Sequence, residues 1–443
     1  MLYFTDFPPI RADAQNREPK KNNKMKNHYI LKTYCERIFL IGSGNFWYKE
    51  NEIGDDQTLL YRAFTALLLF IYGFMTILEI MAAMMGEYPE DEKRDSVSFA
   101  VSHTIVMIKI FSVITNKSLI KDLNRKMVTV CESYEESVLM AKKYKIMKIN
   151  VVAYVSIVYG SCFFFVFEGL RKMFTGSHFV TVVTYYPKFE DDSIPATFVR
   201  VFTTIVLYTM MITMILSVDA FTMIILIMYK YKFMTLKQYF ENLRGEFFAL
   251  NNRGQYDIAT ETLANGLVEG IKMHNTLIRL SGDIDKAFGT VMALQVCQSS
   301  GSAVSLLLQI ALIFFVVALF FLLGLFLCNA GEITYQASEV SDAIFYCGWQ
   351  SCPPRPRSNP SRNIRQLALL AIMQAQRPLV MKAFKMLELT YATFILVRLS
   401  EFFYCLLARA SRLRTGREES GGLTFSDTSN NYIVIIKPIY TNP

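Results

Sequence analysis

Residues 390–410 read "TYATFILVRLSEFFYCLLARA". The run is long enough to cross a hydrocarbon core about 30 Å thick, which takes roughly 20 mostly apolar residues. Yet Arg398 and Glu401 sit in its middle, where each charge costs about 2.5–3.5 kcal/mol even on a lenient insertion scale. Charges survive at that depth when they pair with one another or face the interior of a helix bundle. The segment therefore points to a protein with several spans, and the rest of the chain has to supply them.

It does. The chain has 443 residues, 52% of them hydrophobic and only 19% charged, with 35 Phe, 24 Tyr and 22 Met. Its mean hydropathy is +0.27, a composition outside the range of ordinary soluble domains. Seven windows have the length and apolar character of spans, near 59–85, 97–115, 147–170, 196–228, 286–306, 309–329 and 386–408. The fourth is long enough to leave the membrane as a continuing helix, and the fifth and sixth are joined by a very tight connection. An all-α membrane protein follows, with a 1–58 N-terminal segment and a 59–410 seven-span domain. The first residues, "MLYFTDFPPIRADAQNREPKKNNKMK", have no apolar run with a cleavage site, so no signal peptide is expected.

Lys and Arg collect in cytoplasmic loops. Residues 1–58, 116–146, 229–286 and 330–385 together hold 31 of them, against 5 in 86–96, 171–195 and the fifth–sixth connection. The N-terminus is thus expected inside and the C-terminus outside, although Arg412, Arg414 and Arg417 beyond the last span run against the trend. This orientation is inverted relative to a G-protein-coupled receptor. None of the eight Cys falls in an expected outside loop, so no disulfide framework is predicted. Cys347 and Cys352 lack the further Cys or His of a zinc site. The sequon at Asn116 lies on the expected cytoplasmic side.

Nothing in the chain reads as an enzyme. Phosphate-loop, nucleophile-elbow and zinc-protease motifs are missing, and "GSG" at 42–44 is better read as a turn. The four His are scattered; His103 lies within a span and either lines a cavity or is packed with a local partner. Basic residues are spread over four loops, as orientation requires, so the net charge of +8 implies no nucleic acid. No cofactor or metal is expected.

The cytoplasm-facing stretches are more specific. "SVDAFTMIILIMYKYKFMTLKQYFENLR" (217–244) and "LVEGIKMHNTLIRLSGDIDKAF" (267–288) extend spans as amphipathic helices. In "RNIRQLALLAIMQAQRPLV" (362–380), Ile364, Leu367, Ala368, Ala371, Ile372 and Ala375 fall on one helical face, predicting a short cytoplasmic helix that packs on other helices or subunits. Gly331-Glu332, Tyr335-Gln336-Ala337-Ser338, Asp342-Ala343, Trp349 and Gln376-Arg377-Pro378 follow in order, with Asp219 and His274 upstream and "CERIFLIGSGNFW" near the N-terminus. With the 390–410 segment, this set resembles the insect odorant receptor family over about residues 35–410.

The resemblance implies an odour-gated, nonselective cation channel subunit that binds small volatiles and assembles as a heterotetramer with an olfactory co-receptor. It implies the plasma membrane of olfactory sensory neurons as the location. The long co-receptor-type loop between spans four and five is missing, which implies an odour-tuning subunit. A subunit anchor would include Tyr335, Asp342, Trp349, Arg377 and Pro378. In the last helix Ser400, Phe403, Tyr404 and Leu406–Leu407 fall on the family's terminal motif. Leu406 takes the hydrophobic gate position and Ala410 the ring one turn outward; such a ring blocks ions by dewetting. Glu401 departs from the family pattern. Arg398 and Glu401, three apart, share a helix face and either line a wet vestibule below the gate or form a buried pair that positions the helix.

An odorant pocket in the outer halves of spans two to four would draw on Phe99, His103, Tyr159, Phe163, Phe164, Phe198, Phe202 and Tyr208, an aromatic lining suited to small volatiles. Ordinary helix packing is the competing reading for each. Residues 350–361, "QSCPPRPRSNPS", read as a Pro-rich insertion, and 411–443 as an atypical, disordered tail. Three alternatives stand beside this reading. A gustatory receptor of the same superfamily would differ in ligand class, and a G-protein-coupled receptor would need an outside N-terminus. A transporter would show internal repeats with paired broken helices, and the chain has neither.

Overall fold

A computed structural model describes residues 27–49, 52–174, 183–188, 190–191, 193–306, 313–352, 364–384, 386–397 and 399–400. The described residues form ten helices of three turns or more and one small hairpin. They are α1 (Asn27–Leu40), α2 (Leu59–Met85), α3 (Glu90–Thr115), α4 (Lys117–Thr129), α5 (Ser137–Phe174), α6 (Ile194–Met214), α7 (Ala220–Asn252), α8 (Tyr256–Leu306), α9 (Ile313–Phe345) and α10 (Ile364–Ala375). Strands β1 (Lys382–Ala383) and β2 (Leu387–Glu388) pair antiparallel. Helix resumes at 391–397 and 399–400.

Among the described residues three helical stretches are long and apolar enough to cross a membrane: Leu59–Met85, Ser96–Thr115 and Ile194–Asn252. The last is a single rod of 59 residues, since α6 passes into α7 through a π-helical turn at Ile215–Asp219. At 1.5 Å per residue it is about 90 Å long, far more than a bilayer needs. The window 147–170 lies within α5, 286–306 is the last part of α8, and 309–329 overlaps α9. The last expected span, placed from 386, begins later: the hairpin takes residues up to Glu388, with Leu389 N–H donating to Met381 O, and helix starts at 391.

Local chemistry sets the ends. Ser193 caps α6, its hydroxyl accepting from Ala196 N–H at 3.3 Å, with Pro195 in the first turn where no N–H is needed. The turn from α7 to α8 is a Schellman motif: Gln255 N–H bonds Leu250 O and Gly254 N–H bonds Asn251 O, with Gly254 at φ +75°. Gly42 and Gly44 also have positive φ, so the "GSG" at 42–44 is a turn, as its sequence suggests. It rests on α2, where Gly44 N–H donates to Tyr61 Oη and Tyr61 Oη–H to Phe39 O at the end of α1.

The core sits where α7, α8 and α9 pack, with α5 alongside. α7 is buried all round over Ala220–Tyr229. It approaches α8 closely because Gly266 and Gly270, one turn apart, leave room for Leu243 and Phe240: a Cβ at either would come within 2.4 Å of those side chains. α1 tucks Leu31, Cys35 and Ile38 into the same core, followed by Phe46 and Trp47. α10 buries Ile364, Ala368, Ala371, Ile372 and Ala375, with Leu367 partly buried, so the whole predicted apolar face lies inward.

Candidate functional site

Among the described residues, polar clusters centred on Lys109 and on Glu79 lie inside helices that are otherwise apolar. The first centres on Lys109 of α3, which is wholly buried. Its ammonium donates to Gln298 Oε1 at 2.7 Å, to Gln295 Oε1, and to Asp219 Oδ1 at 3.5 Å. Tyr154 of α5 donates its hydroxyl to the other oxygen, Asp219 Oδ2. Helices α3, α5 and α8 thus meet the π-helical turn between α6 and α7 at one cation–carboxylate pair. Asp219 ends the π-helical turn, whose extra residue changes the rotation between α6 and α7. Ser and Thr side chains bond back to carbonyls around it: Ser217 to Thr213 O, Thr213 to Thr209 O and Thr222 to Val218 O.

The second cluster lies in the half of α2 and α3 near their connection. Glu79 and His103 are both buried, and His103 Nδ1 donates to Glu79 Oε2 at 2.5 Å. The Phe99 ring stacks on the imidazole, centroids 5.8 Å apart. His103 is therefore a packed histidine with a local partner, and that partner is a carboxylate. Glu79 and Lys109 were not singled out by sequence reasoning. The signal was available, since each is an isolated charge in an apolar run, "TILEIMA" and "VMIKIFS", as Arg398 and Glu401 are in theirs.

The aromatic set divides. Tyr159 and Tyr208 are partly buried and pack on the core, whereas Phe163, Phe198 and Phe202 expose 67%, 71% and 50% of their surface. Those three lie on the outer surface of the chain and are not brought together with His103. Nothing is described of the Phe164 side chain.

On the other side of the molecule, Trp349 is buried while Tyr335, Asp342, Arg377 and Pro378 are exposed. Arg377 and Pro378 line a small cleft of about 160 Å³ with His274, Gln374 and Ala337. Burial pushes the His274 imidazole down to about 4. Gly331 and Glu332 acquire a physical reason. Tyr391, at the start of the last helix, lies 3.1 Å from where a Cβ of Gly331 would stand, and its hydroxyl donates to Glu332 Oε2 at 3.0 Å. The pair seats the last helix on α9. Arg398, Glu401, Leu406 and Ala410 lie outside the described residues.

Such clusters contain no nucleophile–base pair and, among the described residues, no group of carboxylates, His and Cys that could hold a metal. They are the polar interior of a helical membrane-type protein. Residues 92–399 match the model of the family described as 7tm odorant receptor. The chain belongs to the insect odorant receptor family; it is a membrane receptor and not an enzyme. The fold is similar to that of the olfactory receptor OR5 from the insect Machilis hrabei, with a TM-score of 0.67 and 11% identity over 86% of this chain and 99% of that one. The same receptor in complex with eugenol matches with a TM-score of 0.64 and 12% identity, over 86% and 99% of the two chains. No curated protein matches the chain by sequence.

Proposed function

We propose that this chain is the odour-tuning subunit of an odorant-gated, nonselective cation channel, with seven spans, the N-terminus inside and the C-terminus outside. The observation that carries the proposal is the seat of the last helix. The hairpin Lys382–Glu388 and the Tyr391–Glu332 bond fix the start of the 390–410 segment on α9, so movement of α9 is passed directly to the segment holding the expected gate. In this reading Leu406 is the hydrophobic constriction, Ala410 the next ring outward, and Arg398 with Glu401 a pair below it. The ligand is a small volatile, in keeping with the eugenol complex of the similar receptor. The exposed Tyr335, Asp342, Arg377 and Pro378, with Leu369, Leu370 and Met373 on the outer face of α10, suit contact with other subunits. Those subunits include an olfactory co-receptor, and the site of action is the plasma membrane of olfactory neurons.

The test is whole-cell recording from cells carrying this chain, an olfactory co-receptor, or both, with a tag at the N-terminus stained before and after permeabilisation. The expected result is a volatile-evoked cation current only with both chains, and a tag seen only after permeabilisation. A tag stained on intact cells refutes the orientation and returns the chain to a G-protein-coupled topology.

A further inference from the structure

Between the short turn Glu132–Tyr134, α7 and α8 lies a cleft of about 660 Å³ whose walls carry charge of one sign. Glu135, Glu136, Glu246 and Glu269 line it, and among the described residues no Lys or Arg does. Glu135 is compensated from behind: its side chain is buried, with Lys232 Nζ at 2.8 Å and Lys143 Nζ at 3.9 Å. The other three are exposed, and no cation pairs with them among the described residues. Asn242 Nδ2 donates to Glu136 Oε1 at 2.9 Å and Tyr134 Oη–H to Glu269 Oε1 at 2.6 Å, both neutral donors. A cleft lined by one sign of charge concentrates its field and draws the opposite sign.

The source of that opposite sign is covalently attached at the same spot. Asn27, the first residue of α1, is buried; its Nδ2 donates to Glu135 Oε1, and its Oδ1 accepts from Lys143 Nζ. The chain just before it, outside the described residues, reads "KKNNKMK" at 20–26, with four Lys and no acidic residue. Lys26 adjoins Asn27. Even along a fully extended backbone Lys24 stays within about 10 Å of Asn27, and Lys20 within about 25 Å. A tether this short keeps the ammonium groups at high local concentration beside the carboxylates. Because Asn27 touches Glu135, the basic segment and the cleft also lie on one side of the membrane, whichever way the chain faces.

We propose that this cleft is the docking site of the chain's own residues 20–26, whose lysines pair with Glu136, Glu246 and Glu269. The docked segment bridges the start of α1 to α7 and α8, and so extends outward the buried contact that Asn27 makes with Glu135. Pairs at this exposure are screened by salt, so docking weakens as ionic strength rises. Anionic lipid headgroups compete for the same lysines, and the two occupancies are separable by experiment.

Carbodiimide cross-linking of the full chain joins a Lys amine to a Glu carboxylate only where the two are in contact. It is run in detergent and in vesicles containing phosphatidylserine, with the links read by mass spectrometry after chymotrypsin. Lys237 and Glu339, 2.9 Å apart, supply the internal reference link. The expected result is amide links from Lys20, Lys21, Lys24 or Lys26 to Glu136, Glu246 or Glu269 in both media. Glu246→Lys, at an exposed position, is expected to lower the links to Glu136 and Glu269 severalfold while the reference link is unchanged. If the reference link forms and those from 20–26 are missing, or if Glu246→Lys leaves them as they were, the proposal is overturned. Links present in detergent but missing in the vesicles overturn it as well, and assign the lysines to the lipid surface. Cross-linking needs no current, so failure here leaves the channel function standing.

Discussion

Lys109→Met removes the cation that joins α3 to α8 and to the π-helical turn, and leaves its methylene stem nearly unchanged. At 3.5 Å from Asp219 Oδ1, an effective dielectric of about 20 gives an attraction of about 5 kcal/mol. The net loss is smaller, because Met escapes the desolvation that Lys109 bears. Breaking one side of a buried pair costs about 3–5 kcal/mol, and Tyr154 still bonds Asp219, so about 3 kcal/mol is expected. With an unfolding entropy of about 2.1 cal/mol/K per residue, that is a shift of about 3–4 °C for a chain of this length. The double variant Lys109→Met with Asp219→Asn removes the stranded charge and is expected to recover at least half of the loss. Heating the detergent-solubilised chain and following the monodisperse fraction by size exclusion reads both. If the single variant melts within about 1 °C of the parent, or the double variant is no more stable than the single, the pair does not hold the helices and the reasoning fails.

Two further predictions concern pH. Lys143 and Lys232 share the carboxylate of Glu135, Lys232 at 2.8 Å and Lys143 at 3.9 Å. Burial first, and then the neighbouring Lys232, bring Lys143 down to about 7 against the opposing pull of Glu135. The unfolded chain binds a proton there up to its ordinary value of about 10.4, so stability rises with pH from about 7 to about 10. Lys143→Met is expected to flatten that rise in melts across the range. His274, held near 4 by burial, protonates in the unfolded chain at about 6.5. Stability is therefore lost as pH falls from about 6.5 toward 4, and His274→Gln is expected to lessen the loss. Gly348→Ala places a Cβ 2.8 Å from Phe247 at φ +101°; a cost of about 1–3 kcal/mol is expected in the same assay, and an unchanged melt would contradict it.

Much of the architecture is legible in the sequence because a helix that must satisfy its own backbone in lipid is long, uniform and apolar. The window 59–85 coincides with α2, and the fourth window does continue past the membrane's thickness. The face of α10 is equally readable, since its polar and apolar residues alternate with the helical period. Which aromatic side chains face inward is not readable in this way. Lipid is as apolar as a protein core, so Phe198 exposed on α6 and Phe221 buried in α7 look the same in the sequence. Charges are more informative, because only an interior partner makes them tolerable: Glu79, Lys109 and Asp219 mark the inside of the bundle more reliably than any Phe. Their partners come from distant segments, Lys109 from 110 residues before Asp219, and only the fold brings them together.

The most direct test of the account is a recording from inside-out patches excised from cells expressing this chain with an olfactory co-receptor, in a bath free of nucleotides. The account predicts that a volatile active on the intact cell still opens a cation conductance in the isolated patch, and that Leu406→Ala alters its gating. Openings that vanish on excision and return only when GTP is supplied would show that the channel is a separate molecule, and would contradict it.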